Sequence, residues 1–538
     1  MDRETERKYQ QLSPFELKDN LISLAAEHTK QSTMAMLNAG RGNPNWIATT
    51  PREAFFTLGG FAIEESKRVW NQPHFGGMPQ AKGIAKRFNE FAAKNPAAPG
   101  IDLLKDAIVY AVGKFGFDAD TFVHELTDSV IGDQYPTPDR MLKCIERVVH
   151  EYLVQEMCAG QPPEGRYDLF AVEGGTAAMC YVFDSLMVNK LLHKGDKIAL
   201  GVPTFTPYIE IPELDRYEFR VVEIFADEVD AQGNHTWQYP DWQITRLADP
   251  SIKAFFLVNP SNPPSVTLRP NSMNRLVEIV KTRNPNLIII TDDVYGTFVN
   301  GFVSLMAKLP RNTIGVYSFS KYFGCTGWRL GVVAVHEDNI FDPMIAKLPE
   351  ADRNILNNRY KSLSLTPEKM KFIDRMVADS RQVALNHTAG LSLPQQAQMA
   401  LFSLFALVDK ENNYKKATQQ IIQRRLEDLI KGIGFTLQPN PYRTGYYATL
   451  DLLVWARRMY GEEFADYLTT NYEPVDILFR LAERFSTVLL NGGGFDAPDW
   501  SIRISLANLP DETYPLIGEY LAALGKEYVR EWEASKNK

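Results

Sequence analysis

A series of short apolar runs in the middle of the chain constrains the fold most. They lie at 197–202 (KIALGV), 253–258 (KAFFLV), 287–291 (LIIIT), 313–317 (TIGVY) and 330–335 (LGVVAV). A strand with one wet face alternates apolar and polar residues, whereas a strand covered on both faces does not. These runs do not alternate, so the reading is a buried, parallel sheet. Helical periodicity fills several of the intervals, as in 271–282 (NSMNRLVEIVKT), which makes the middle of the chain an α/β layer domain. In such sheets, ligands bind beyond the carboxyl ends of the strands. Polar residues stand at that position: Asn259 and Asn262 after the second run, Asp292 and Asp293 after the third, Ser318 to Lys321 after the fourth.

The rest of the chain bounds the function. At 538 residues and 45% hydrophobic composition it can build more than one core. A net charge of -8 without a basic tail argues against nucleic acid as a partner. No apolar run approaches the roughly 18 residues of a membrane span. The charged start MDRETERKYQQ lacks the apolar core of a signal peptide, so a cytoplasmic location is expected. Cys144, Cys158, Cys180 and Cys325 form no C-x-x-C pair, and no metal site is expected. After about 396 the pattern changes to amphipathic helices (411–432, 456–470) and scattered short strands (445–454, 501–507). The expected organisation is an N-terminal segment, 1–60, packing with a small α+β domain at 396–538. A large α/β domain at 61–395 carries helical insertions near 80–125 and 340–385.

The chemistry concentrates in Ser318-Phe-Ser-Lys321-Tyr-Phe-Gly324, with Arg329 eight positions after the lysine. A lysine amine can form a Schiff base with an aldehyde, while the serines and the arginine suit a phosphate dianion. An aldehyde that also carries a phosphate points to pyridoxal phosphate (PLP), an electron sink for carbanions. Short motifs occur by chance, and a surface lysine beside a glycine-rich turn is the competing explanation. Other segments are consistent with the first. Val172-Glu-Gly-Gly175-Thr176 ends a strand and opens a helical pattern over 176–190, and a helix N-terminus attracts anions. Asp292 closes a buried strand, where a carboxylate needs a partner such as a pyridinium N–H. Asp293 is the better candidate for a helix N-cap. Asn262, in the stiff turn Asn259-Pro-Ser-Asn-Pro-Pro-Ser265, can donate to a phenolate, although Asn and Pro also favour turns for their own reasons. Arg503 in the alternating strand 500–507 can grip a carboxylate with two parallel hydrogen bonds, and Phe205 can stack on a ring.

In this order, over roughly residues 35 to 510, the set resembles the fold-type I PLP enzymes, specifically the class I/II aminotransferases. The resemblance implies a large domain with a mostly parallel central sheet plus a smaller α+β domain. It implies PLP held as a Schiff base on Lys321, with Asp292 on the ring nitrogen and Tyr295 and Asn262 on the phenolic oxygen. Phosphate contacts fall on Gly175, Thr176, Ser318, Ser320 and Arg329, and the α-carboxylate contact on Arg503. Tyr135, in Asp133-Gln-Tyr-Pro-Thr-Pro138, takes the place of a tyrosine lent by a neighbouring subunit, so a homodimer with shared active sites is implied.

Three departures narrow the resemblance. The chain is longer than a typical member, with extra helical material near 50–125 and 340–385. Its N-terminal glycine loop, Asn38-Ala-Gly-Arg41-Gly42-Asn-Pro44, carries an arginine where the family has a small or aliphatic residue. The loop 386–394 offers Thr388 and no arginine where aspartate aminotransferases hold the side-chain carboxylate. These features resemble the aspartate β-decarboxylase branch of the family. That branch implies conversion of L-aspartate to L-alanine and CO2, side transamination with 2-oxo acids, and assembly of dimers into a larger homo-oligomer. The competing expectations are a plain aminotransferase for a dicarboxylic or aromatic amino acid and, more remotely, a non-catalytic PLP-binding regulator.

Overall fold

The structure, a computed structural model, describes residues 3–31, 35–381 and 390–536. Its main sheet has seven strands: β1 (Tyr167–Val172), β2 (Lys197–Val202), β3 (Arg220–Phe225), β4 (Ile252–Val258), β5 (Ile288–Asp292), β6 (Thr313–Ser318) and β7 (Gly331–His336). Their order is β1-β7-β6-β5-β4-β2-β3. Each unalternating run in the sequence is one of these strands, and every residue of β1, β5, β6 and β7 is buried. The exception to the expected direction is β7. The run at 330–335 reads as parallel in the sequence, yet it pairs antiparallel with both β6 and β1. Burial on both faces removes the alternation whatever a strand's direction, so the apolar pattern carries no sign of polarity. Two strands without a full apolar run, β1 and the partly exposed β3, complete the sheet.

The chain forms two compact units. One comprises Ile47–His193 and Ile288–Lys416. It holds β1, β5, β6 and β7 together with a cluster of helices, among them Thr49–Val69, Ala119–Ile131, Lys143–Met157 and Leu393–Val408. The helix Leu393–Val408 is the hub, packing against the other three. Ser392 and Gln395 form a capping box at its start, and Pro394 sits in its first turn, where a missing N–H costs nothing.

The other unit comprises Met1–Trp46, Lys194–Leu287 and Ala417–Lys538. Besides β2, β3 and β4 it holds a three-stranded antiparallel sheet of β8 (Tyr447–Asp451), β9 (Leu490–Asn491) and β10 (Ser501–Ser505), in the order β9-β10-β8. Its core gathers Leu17, Leu21 and Ala25 of the helix Pro14–Gln31 with Leu478, Leu481, Ile502, Ile504 and Ile517. The single helix expected over 456–470 is two, Leu452–Tyr460 and Glu462–Asn471, broken at Gly461. That residue stands at φ +87° and ψ 174°, a conformation closed to residues with a Cβ.

Candidate active site

In the first unit, strand register assembles one edge. Ser318, the last residue of β6, pairs with Gly331 at the start of β7. Gly331 pairs in turn with Val172, the last residue of β1. Asp292, the last residue of β5, pairs with Val316 of β6. The carboxyl end of β1 therefore meets those of β5 and β6, which lie more than a hundred positions further along the chain. Two glycines make the approach possible. A Cβ on Gly331 would stand 2.7 Å from the Gly174 Cα. Gly174 itself has φ +93°, and a Cβ there would run into the Arg329 guanidinium.

Gly174 caps the helix Gly175–Val188. Beside this N-terminus Arg329 is held by its own carbonyl contacts: Nη2 donates to the Glu173 oxygen (3.1 Å) and Nη1 to the Thr326 oxygen (3.0 Å). Ser318 Oγ donates to Ser320 Oγ (3.0 Å), and both residues are buried. A guanidinium, two hydroxyls and the amides of a helix N-terminus make a donor set suited to a phosphate dianion, so these residues fit a phosphate-bearing cofactor. Lys321 follows at once, half-buried. Its loop rests on an aromatic cluster in which Tyr152 stacks on Phe319 (5.4 Å) and its hydroxyl meets that of Tyr317 (2.7 Å).

Both aspartates after β5 are buried, with different surroundings. Asp292 Oδ1 accepts the Val294 N–H (3.1 Å). Asp293 caps no helix, contrary to expectation. Its carboxyl lies inside the unit, taking the hydroxyl protons of Thr291 (2.8 Å) and Ser304. Burial pushes its pKa up to about 7; the two hydroxyls pull the other way, and the nearby Asp292 charge adds to the rise. Tyr295 is buried in the turn that follows. Thr176 and Tyr135 face solvent, Tyr135 with 64% of its surface exposed. Thr388 lies outside the described residues.

In the second unit Arg503 is the centre. It is 1% exposed, on β10. Nη1 donates to Asn262 Oδ1 (3.1 Å) and Nη2 to the Gly40 carbonyl (3.0 Å). The rings of Tyr447 and Phe495 lie against its guanidinium at 4.3 and 4.7 Å. The two oxygen acceptors are uncharged, so an anion would be a stronger partner than either. The Asn259–Ser265 turn is itself fixed to this sheet, because Ser265 Oγ accepts the Tyr447 N–H (2.8 Å). The glycine loop is fixed on both sides of Arg41: the Gly40 carbonyl takes Arg503, and the Gly42 carbonyl takes the Tyr446 hydroxyl (2.9 Å). Arg41 projects from this anchored loop into solvent. Phe205 stands at the cap of the helix Thr206–Glu213, edge-on to Phe15 (5.9 Å) and Tyr208 (5.3 Å). The sequence motifs include Gly174 and Gly331 without revealing that their backbones touch, and they omit Tyr447. Their only signals are a glycine where two backbones touch and an aromatic two residues along β8 from the register partner of Arg503.

Comparison with known proteins agrees with this architecture. The family model described as aminotransferase class I and II matches residues 166–519. A bifunctional aspartate aminotransferase and L-aspartate beta-decarboxylase of Pseudomonas sp. is 48% identical over 530 residues, 98% of each chain. Among solved structures, the Thermus thermophilus aspartate aminotransferase with maleate superposes with a TM-score of 0.57 at 16% identity, covering 94% of this chain and 96% of that one. The N-succinyldiaminopimelate aminotransferase of Mycobacterium tuberculosis does so with the same score and identity, over 96% and 98%. At that identity the likeness is one of fold.

Proposed function

The chain belongs to the class I and II aminotransferases, and on that premise we propose that it converts L-aspartate to L-alanine and CO2 with PLP, retaining aspartate aminotransferase activity on the side. The observation that carries this reading is the 48% identity, over nearly the whole of both chains, to the bifunctional Pseudomonas enzyme. The fold alone would not select the substrate.

When bound, PLP withdraws electrons from the substrate skeleton, which lets a proton leave Cα and CO2 leave Cβ. The protein's residues do the rest. The Lys321 amine anchors the cofactor aldehyde and serves as the base that moves the Cα proton. Gly175, Thr176, Ser318, Ser320 and Arg329 hold the phosphate, supported by the meeting of that helix N-terminus with the Arg329 guanidinium. Asp292 holds the proton on the ring nitrogen, Tyr295 and Asn262 donate to the phenolic oxygen, and Phe205 faces the ring. Since Asn262 Oδ1 already accepts from Arg503, its amide N–H groups are the end left to donate. Arg503 takes the substrate α-carboxylate; its buried, aromatic-lined position favours a bidentate, charge-assisted pair.

The distal carboxylate decides between the two reactions. A tight bidentate grip on it would stabilise the carboxylate and oppose its loss. Arg41, on a loop tied down through Gly40 and Gly42, orients that group in place of such a grip. Replacing Arg41 with alanine should shift the ratio of decarboxylation to transamination; an unchanged ratio would remove Arg41 from this role. We further propose a homodimer with shared active sites, to which each subunit lends Tyr135, assembling into a larger homo-oligomer. The exposure of Tyr135 supports the first step. The solvent-facing Phe56 and Ile63 of the helix Thr49–Val69 support the second.

The deciding experiment incubates the PLP-loaded enzyme with L-aspartate and no 2-oxo acid, following CO2 and alanine. Many alanines per active site establish β-decarboxylation. At most one oxo acid per site, with turnover only after 2-oxoglutarate is added, leaves a plain aminotransferase.

A further inference from the structure

Arg52, on the helix Thr49–Val69, reaches the loop between Lys321 and Arg329, and no step of the proposed reaction uses it. It is half-buried and belongs to the same unit as that loop. Burial lowers its pKa, and among the described residues no carboxylate acts on it to offset this. A cation taken partly out of water without an ion pair needs other acceptors. Here they are main-chain carbonyls. Nη1 donates to the Phe323 oxygen (3.2 Å) and, at the start of its own helix, to the Ala48 oxygen (2.6 Å). Nη2 donates to the Gly324 oxygen (2.7 Å). The Phe323 oxygen also accepts the Ala48 N–H (3.2 Å), and the Tyr322 oxygen takes the Tyr414 hydroxyl (2.8 Å). The three carbonyls that directly follow Lys321 are thus each held by a side chain from a distant segment, two of them by Arg52.

The same guanidinium bears on the other end of the loop. It lies against the rings of Trp328 and Phe402, at 5.2 and 5.3 Å. The turn Thr326–Trp328 buries none of its residues, so such contacts are its main support. Arg329 comes next, at φ +55° and ψ 53°. A residue with a Cβ keeps that left-handed conformation only where its surroundings hold it. Trp328 is held on one side by Arg52 and through its carbonyl by Gln395 Nε2 (3.0 Å).

We propose that Arg52 is a positioning residue for the reaction: its guanidinium fixes the segment Tyr322–Trp328, and through it the places of the Lys321 amine and the Arg329 side chain. The inference rests on the assignment of Lys321 as cofactor anchor and base. A planar fork serves two neighbouring carbonyls while presenting a face to aromatic rings, which the ammonium of a lysine cannot do. Geometry and not charge is therefore what Arg52 supplies.

The test compares PLP-loaded wild type with Arg52→Lys, counting bound PLP by its visible absorbance. The kcat for alanine formation from L-aspartate, per bound PLP, should fall at least about tenfold, because a small displacement of a reacting group is that costly. KM should stay within about twofold, since Arg503 lies in the other unit. Release of PLP on dilution, read as loss of the visible band, should speed up at least about tenfold as Arg329 shifts. Trp328→Leu, which keeps both carbonyl bonds, should speed release as well and lower kcat less than Arg52→Lys does. Wild-type kcat per bound PLP in Arg52→Lys would overturn the proposal, whether accompanied by a lower Tm, which would make Arg52 purely structural, or by a change confined to KM. If Arg52→Lys does not fold, Trp328→Leu decides, and unchanged release there overturns the proposal. Lys321→Ala tests the underlying assignment separately. Turnover retained in that variant withdraws the role of Lys321; turnover lost there beside a normal Arg52→Lys withdraws only that of Arg52.

Discussion

Arg503 shows what a single side chain contributes here. It is buried, lies against two rings, and donates to the neutral oxygens of Asn262 and Gly40. A guanidinium so placed loses little entropy on gripping a carboxylate. Arg503→Gln should raise KM for L-aspartate roughly tenfold to a hundredfold, the worth of a charge-assisted pair. PLP binding, followed by its visible absorbance, should be preserved; loss of PLP together with substrate would assign Arg503 a structural role instead. Asp293 gives a pH signature. Its carboxyl titrates near 3.8 ordinarily and at about 7 in the folded protein. Between those values the folded chain keeps a proton that the unfolded chain has released. Raising the pH through that window therefore removes stability, and above about 7 the loss is complete. Asp293→Asn cannot ionise, and the hydroxyls of Thr291 and Ser304 can turn to suit it. The difference in Tm between variant and wild type should move in the variant's favour from pH 4 to pH 7 and then level off. A difference that does not vary with pH would contradict the buried ionisation. The role of Arg503 was legible in the sequence; the titration of Asp293, which reads there as a helix cap, was not, because burial is a property of neighbours the sequence does not name.

Among the elements, the junction of β1, β7 and the helix Gly175–Val188 bears on cofactor affinity. Gly331 exists because a Cβ there would lie 2.7 to 3.0 Å from the Gly174 backbone. Gly331→Ala must push the phosphate loop away from the sheet. We expect PLP affinity to drop at least about tenfold, since each charge-assisted bond to the phosphate contributes 1.5 kcal/mol or more. Equilibrium dialysis of the apo form against PLP measures it; an unchanged Kd would mean that the loop yields without moving its donors. The sequence indicated a strand, a turn and a helix here, because glycines and apolar runs are local signals. It did not indicate that β7 runs antiparallel beside β1, which follows from hydrogen bonding between segments about 160 residues apart.

At the scale of the whole molecule, the proposed shared active site makes a prediction about mixtures. A Lys321→Ala subunit and a Tyr135→Ala subunit are each expected to form inactive homodimers. If Tyr135 serves the neighbour's site, their heterodimer has one site with both defects and one with neither. Unfolding and refolding an equal mixture should then restore about a quarter of wild-type activity per site, as random pairing of isologous dimers requires. If no activity returns although mixed dimers form, the two residues act within one subunit.

The sequence by itself determined the covered strands, the order in which polar residues leave their carboxyl ends, and the lysine between hydroxyls with an arginine close behind. These are local signals: a strand buried on both faces cannot alternate, and a phosphate-bearing aldehyde needs an amine near phosphate donors. Tertiary structure alone decided the direction of β7 and the contact of Arg329 with Gly174. It also decided the acceptors of Arg503, which lie 241 and 463 positions away along the chain. The reason is physical. Periodicity records whether a side chain meets water or protein, but the identity of the partner depends on which distant segment fills the remaining space.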